Sequence, residues 1–79
     1  MVTDAVHSPE HYQRGGLECK QVQKAMLEGM LVPAYVAHCW GTVLKYIWRW
    51  PAKGGVQDLE KAREYLDEMI AEAKAAGMR

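Results

Sequence analysis

The chain has little of what most recognisable chemistry is built from. Its single serine, Ser8, lacks the flanking pattern of a nucleophile elbow, which argues against serine-based covalent catalysis. Its two cysteines, Cys19 and Cys39, are too few for a disulfide framework and stand in no CxxC-type metal spacing, so a reducing, cytoplasmic setting is expected. Ten basic residues offset ten acidic ones, leaving no net charge to draw in a nucleic-acid backbone or an anionic membrane. No apolar run approaches the ~20 residues of a membrane span, and the opening residues MVTDAVHSPEHY hold no signal-peptide core. The GxxxxGK[ST] phosphate loop is missing, as are internal repeats and low-complexity tracts. The expectation is a soluble protein with no membrane or nucleic-acid partner.

At 79 residues, the whole chain reads as one domain, of a size at which an isolated core is marginal. With 49% hydrophobic residues to bury, a homo-oligomer is the expected remedy. Residues 1–16, with Ser8-Pro9 and Gly15-Gly16 and little apolar periodicity, read as an N-terminal arm. A first helix is predicted over about 17–28, from the spacing of Leu17, Val22, Ala25, Met26 and Met30 and a stop at Gly29. Pro33 and Pro51 bracket a second helix over about 33–50. Its apolar stripe is Val36, Cys39, Trp40, Val43, Leu44 and Ile47, with His38, Gly41, Thr42, Lys45 and Arg49 on the polar side. A third helix follows Gly54-Gly55 and runs to about residue 75, with Gly77 as its stop. Its predicted buried seam is Leu59, Ala62, Leu66, Met69, Ile70 and Ala73. No segment alternates usefully with period two, so the fold class is all-α: three helices behind an irregular arm.

The stretch KYIWRWPAKGGVQDLEKA, residues 45–62, gathers cations and aromatics around one turn. Trp40 belongs to the core stripe, whereas Trp48 and Trp50 flank it and suit a subunit contact or a stacked ligand. Lys45 and Arg49 are one helical turn apart, Lys53 follows the helix end, and Gly54-Gly55 precede a helix start whose free N–H groups and dipole favour an anion. Together these residues could surround a phosphate. Arg49 has two readings: a bidentate phosphate contact, or an ion pair across the turn with Asp58 or Glu60 that fastens two helices. In the arm, His11 and Tyr12 are hydrogen-bonding candidates. A zinc site from His7, His11 and a cysteine is disfavoured because Pro9 breaks any i, i+4 display.

The run from Gly41 to Arg49, then Lys53-Gly54-Gly55, Asp58-Leu59-Glu60-Lys61-Ala62 and Tyr65-Leu66, resembles the signature of the small SaV-like domain of phages and prophages. Pro9-Glu10-His11-Tyr12 and Gly15-Gly16-Leu17-Glu18 are similar to that family's N-terminal blocks. Thr42 and Ser8 depart from its pattern. The resemblance implies a phage-type nucleotide-binding protein, and the family's best-known member is a nucleotide kinase that phosphorylates deoxynucleoside monophosphates without a Walker motif. On that reading Lys45, Arg49 and Lys53 neutralise phosphates, His11 and Tyr12 hydrogen-bond them, and Asp58 orients Lys61 or holds a hydrated cation. No carboxylate cluster announces a dedicated magnesium site, and no other cofactor is indicated. A non-enzymatic sponge for cyclic or signalling nucleotides of host anti-phage defence would need the same cations. A structural helical adaptor would need none of them.

Overall fold

In the computed structural model, residues 13–79 are described, and their architecture is three helices behind a minimal hairpin. His7, His11 and Tyr12 lie outside these residues, so their expected roles stay with the sequence. The end of the expected arm and the start of the expected first helix form the hairpin instead. Strand β1 (Gln13–Arg14) pairs antiparallel with β2 (Leu17–Glu18), Gln13 opposite Glu18 and Arg14 opposite Leu17. The two-residue turn between them has Gly15 at φ 55° and Gly16 at φ 78°. Two successive left-handed residues are what a twisted hairpin demands, and glycine adopts them without strain. Leu17 and Glu18 are therefore extended, and helix α1 (Cys19–Leu27) begins two residues later than predicted. The Glu18 N–H donates to Gln21 Oε1 at 2.7 Å, which ties the strand end to the first helical turn.

Helix α2 (Ala34–Arg49) starts behind Pro33, whose carbonyl accepts the Ala37 N–H at 3.0 Å. Helix α3 (Val56–Ala75) ends in a Schellman motif, with Gly77 N–H to the Lys74 carbonyl at 3.0 Å and Met78 N–H to the Ala73 carbonyl at 2.9 Å. Hydrogen bonds link Tyr35 to Glu68 near one end and Arg49 to Asp58 near the other, so α3 runs back along α2. That pair carries most of the packing, and α1 joins α2 from another side.

The core is small. Among the described residues, Cys19, Val36, Cys39 and Ala62 are the fully buried apolar ones, and Asp58 is buried with them. Trp40, expected in the core, is only half-buried. Ile47, Leu66 and Ile70, expected in the apolar stripe and seam, are 46%, 41% and 45% exposed. Gly41, expected on the polar side, is buried, and Gln23 of α1 donates to its carbonyl at 2.6 Å. The reason is geometric. A single wheel assigns one buried face, whereas α2 has α1 and α3 on different sides and buries small residues toward each. No helix of the described residues is long and apolar enough to cross a membrane.

Candidate functional site

The turn after α2 is tied back onto the end of that helix. The N–H groups of Ala52 and Lys53 both donate to the Arg49 carbonyl at 3.0 Å, and Gly55 N–H donates to the Trp50 carbonyl at 2.7 Å. Gly55 then adopts φ 59°, ψ −146°, a region reserved in practice for glycine. A Cβ on Gly54 would collide with the carboxyl group of Asp58, so only glycine lets that side chain fold back over the turn. Gly54 is thus accounted for by the protein's own anion, and Gly55 by its backbone angles. Asp58, in the first turn of α3, lies where the dipole and free N–H groups favour negative charge.

Arg49 completes this arrangement. Its Nε donates to Asp58 Oδ2 at 2.9 Å and its Nη2 to Oδ1 at 3.3 Å, a two-point contact at a carboxylate that is 2% exposed. The guanidinium, foremost, holds the Asp58 carboxyl below its ordinary pKa; burial opposes this, and Lys61 and the Gly54 N–H assist. Of the two readings open to Arg49, the structure displays the ion pair with Asp58 across the turn.

The same guanidinium also forms part of a cationic ring. Lys45 Nζ, Arg49 Cζ and Lys61 Nζ lie 4.8, 5.0 and 5.7 Å from the centroid of the Tyr46 ring. Each is within cation–π range of the same face-bearing group. Tyr46 stacks on Tyr65 of α3 with centroids 6.2 Å apart and planes 27° off parallel. His38 meets Tyr65 edge-on at 6.1 Å, and Tyr35 lies 5.5 Å from His38. Four rings therefore follow one another along the groove between α2 and α3. At the far end Tyr35 donates its hydroxyl to Glu68 Oε1 at 2.6 Å, which pushes the phenol pKa well above that of ordinary tyrosine. Lys45 also reaches the start of α1: burial raises the Cys19 thiol pKa and the nearby ammonium partly opposes it.

The predicted site residues thus separate into groups. Lys45, Arg49 and Lys61 converge on Tyr46, and Asp58 adjoins them through Arg49. Gly54 and Gly55 shape the turn beneath. Lys53 is exposed on that turn, and among the described residues no ring contact includes it. Tyr46, Tyr65, His38 and Tyr35 were not singled out as site residues by the sequence reading. A signal existed, because Tyr46 sits between Lys45 and Arg49 in the chain, but its pairing with Tyr65 crosses 19 positions and depends on helix packing. A shallow depression of about 370 Å³ on the outer side of α3, lined by Gln57, Glu60, Lys61, Arg63, Glu64 and Asp67, carries three carboxylates against two cations and does not suit a phosphate. Among the described residues no group of three His, Cys, Asp or Glu side chains is placed to hold a metal.

The chain belongs to the DUF3310 family of proteins of unknown function, which it matches over residues 6–67. That span takes in the hairpin, α1, α2 and the part of α3 that carries Asp58, Lys61 and Tyr65. No curated protein and no solved structure is significantly similar to the chain.

Proposed function

We propose that the protein binds a nucleotide on the α2–α3 groove, with phosphate against Lys45 and Lys61 and the base on the ring series that begins at Tyr65. The observation that carries this reading is the gathering of three cations within 6 Å of the Tyr46 ring beside one buried carboxylate, Asp58, which is hydrogen-bonded to Arg49. Such an excess of like charge repels itself, and a bound anion relieves the repulsion. Adjacent aromatic surface gives a flat base a stacking partner, typically about 1–3 kcal/mol per base. Arg49 contributes in two ways, holding Asp58 with its fork and adding charge beside the ring.

The resemblance to phage SaV-like domains supports the same ligand class and adds phosphoryl transfer to a deoxynucleoside monophosphate as the reaction. Transfer would rest on positioning and charge neutralisation, because the accepting phosphate oxygen is already anionic. A specific observation favours binding without transfer: Asp58, the buried carboxylate that adjoins the cations, is committed to Arg49 and Gly54. The sponge for defence nucleotides fits that geometry.

One experiment orders these outcomes. The protein is incubated with a panel of mononucleotides and cyclic nucleotides, with ATP and magnesium, and the supernatant is chromatographed before and after denaturation. New phosphorylated products establish the kinase. Unchanged nucleotide released only on denaturation establishes the sponge. Absence of both, with calorimetry showing no heat of binding, overturns the nucleotide reading and leaves the adaptor.

A further inference from the structure

We infer that the side of the α2–α3 pair opposite the cationic groove is a self-association surface, on which α3 of a second copy packs antiparallel to α3 of the first. At ~100° per residue, Leu59, Arg63, Leu66 and Ile70 fall on one flank of α3, while Lys61, Tyr65 and Glu68 fall on the other. The second flank is the groove side, since it holds the ring and hydrogen-bond contacts to α2. Apart from Arg63, the first is apolar and open to solvent: Leu66 and Ile70 are 41% and 45% exposed, and Ile47 of α2, at 46%, adds exposed apolar surface. With only four apolar residues fully buried among those described, these side chains form a second half-core awaiting cover.

Charge placement selects a second copy as the occupant. Leu59, Arg63, Leu66, Ile70 and Ala73 alternate at steps of four and three, the seam of a two-helix packing. The exposed residues bordering that seam on its solvent side are Glu60, Asp67 and Lys74. An antiparallel two-fold axis crossing α3 between Leu66 and Ile70 sets Leu66 of each copy against Ile70 of the other. The same axis brings Glu60 of each copy to Lys74 of the other, giving two ion pairs of opposite sign at the seam's ends. Asp67 approaches its own symmetry mate, with Arg63 one turn earlier on each helix to moderate the repulsion. The interface is isologous and closes, so each copy keeps its groove facing outward.

The register makes the test specific. Light scattering on the full chain is expected to give at least twice the 8.9 kDa chain mass at tens of micromolar. Ile70→Glu, with helicity checked by circular dichroism, is expected to raise the dimer dissociation constant at least tenfold. Glu60→Lys weakens association and the double variant Glu60→Lys/Lys74→Glu restores it. Mixed Leu66→Cys and Ile70→Cys proteins form a disulfide-linked heterodimer under mild oxidation, whereas Glu64→Cys, on the outer side of α3, does not crosslink to either. A folded monomer at these concentrations overturns the inference. So does an assembly indifferent to Ile70→Glu and to the charge swap, or one that crosslinks through position 64 in preference to 66 and 70.

Discussion

The two sides of the α2–α3 pair are built from interleaved positions of the same helices, yet they end in opposite states. On the groove side directional contacts form inside the chain: Arg49 with Asp58, Tyr35 with Glu68, Tyr46 with Tyr65 and three cations. On the other side Ile47, Leu66 and Ile70 remain open to water. The difference teaches where this small chain invests its order. Directional contacts register the two helices and shape a charged groove, and the non-directional apolar surface is left over for whatever covers it.

Breaking the groove side at its tightest point gives the largest expected effect. Gly54→Ala drives a methyl into the Asp58 carboxylate, and forcing a carbon into filled space costs roughly 1–3 kcal/mol. In a domain of this size that lowers the melting temperature by about 4–8 °C per kcal/mol, read by calorimetry. A melting temperature equal to the parent's would show that the turn is not what holds Asp58.

Next in size is the ligand effect. Lys45→Ala and Lys61→Ala are each expected to weaken nucleotide binding roughly tenfold or more, the scale of a lost charged hydrogen bond, with melting little changed. Arg49→Lys separates its two duties. A lysine keeps the charge beside Tyr46 but cannot make the two-point contact with Asp58, so the melting temperature falls while binding falls less than in Lys45→Ala. Binding lost outright in Arg49→Lys, with melting unaltered, would return Arg49 to direct phosphate contact.

Acid sharpens the comparison further. Because the folded-state pKa of Asp58 is depressed, its contribution to stability is complete above the unfolded value of about 3.9 and is lost as pH falls through the lower folded value. Melting temperatures followed from pH 5 down to pH 2 should therefore decline in the parent more steeply than in Asp58→Asn. Parallel curves would remove Asp58 from the acid response. The smallest effect belongs to Tyr35→Phe at the exposed end of the ring series. It should remove from an alkaline absorbance titration a phenol whose pKa is raised by hydrogen bonding to Glu68, and leave nucleotide binding close to the parent's.

The helices were legible from local signals: Pro33 and Pro51 around α2, the Gly54-Gly55 start and the Gly77 stop of α3. The hairpin at Gly15-Gly16 was equally available, since a Gly-Gly pair is a recognised two-residue turn, but strands of two residues show no period to detect. Within the site, the convergence of Lys45 and Arg49 followed from i, i+4 spacing alone. Their relation to Tyr65 and Lys61 did not, because it depends on which flank of α3 faces α2.

What the sequence by itself determined is therefore the one-dimensional order: three helices, the ends of α2 and α3, the pairing of Lys45 with Arg49 on one helix face, and two alternatives for Arg49. Capping, turn chemistry and helical period act over a few residues and can be read where they are written. Only the tertiary structure decided that Arg49 meets Asp58, that Gly54 exists to admit that carboxylate, that Gly41 faces α1, and that Leu66 and Ile70 stay outside the core. Each of these depends on the rotation of one helix about its axis against another. That rotation is set by the summed packing of side chains from both helices, and no single segment of the chain contains it.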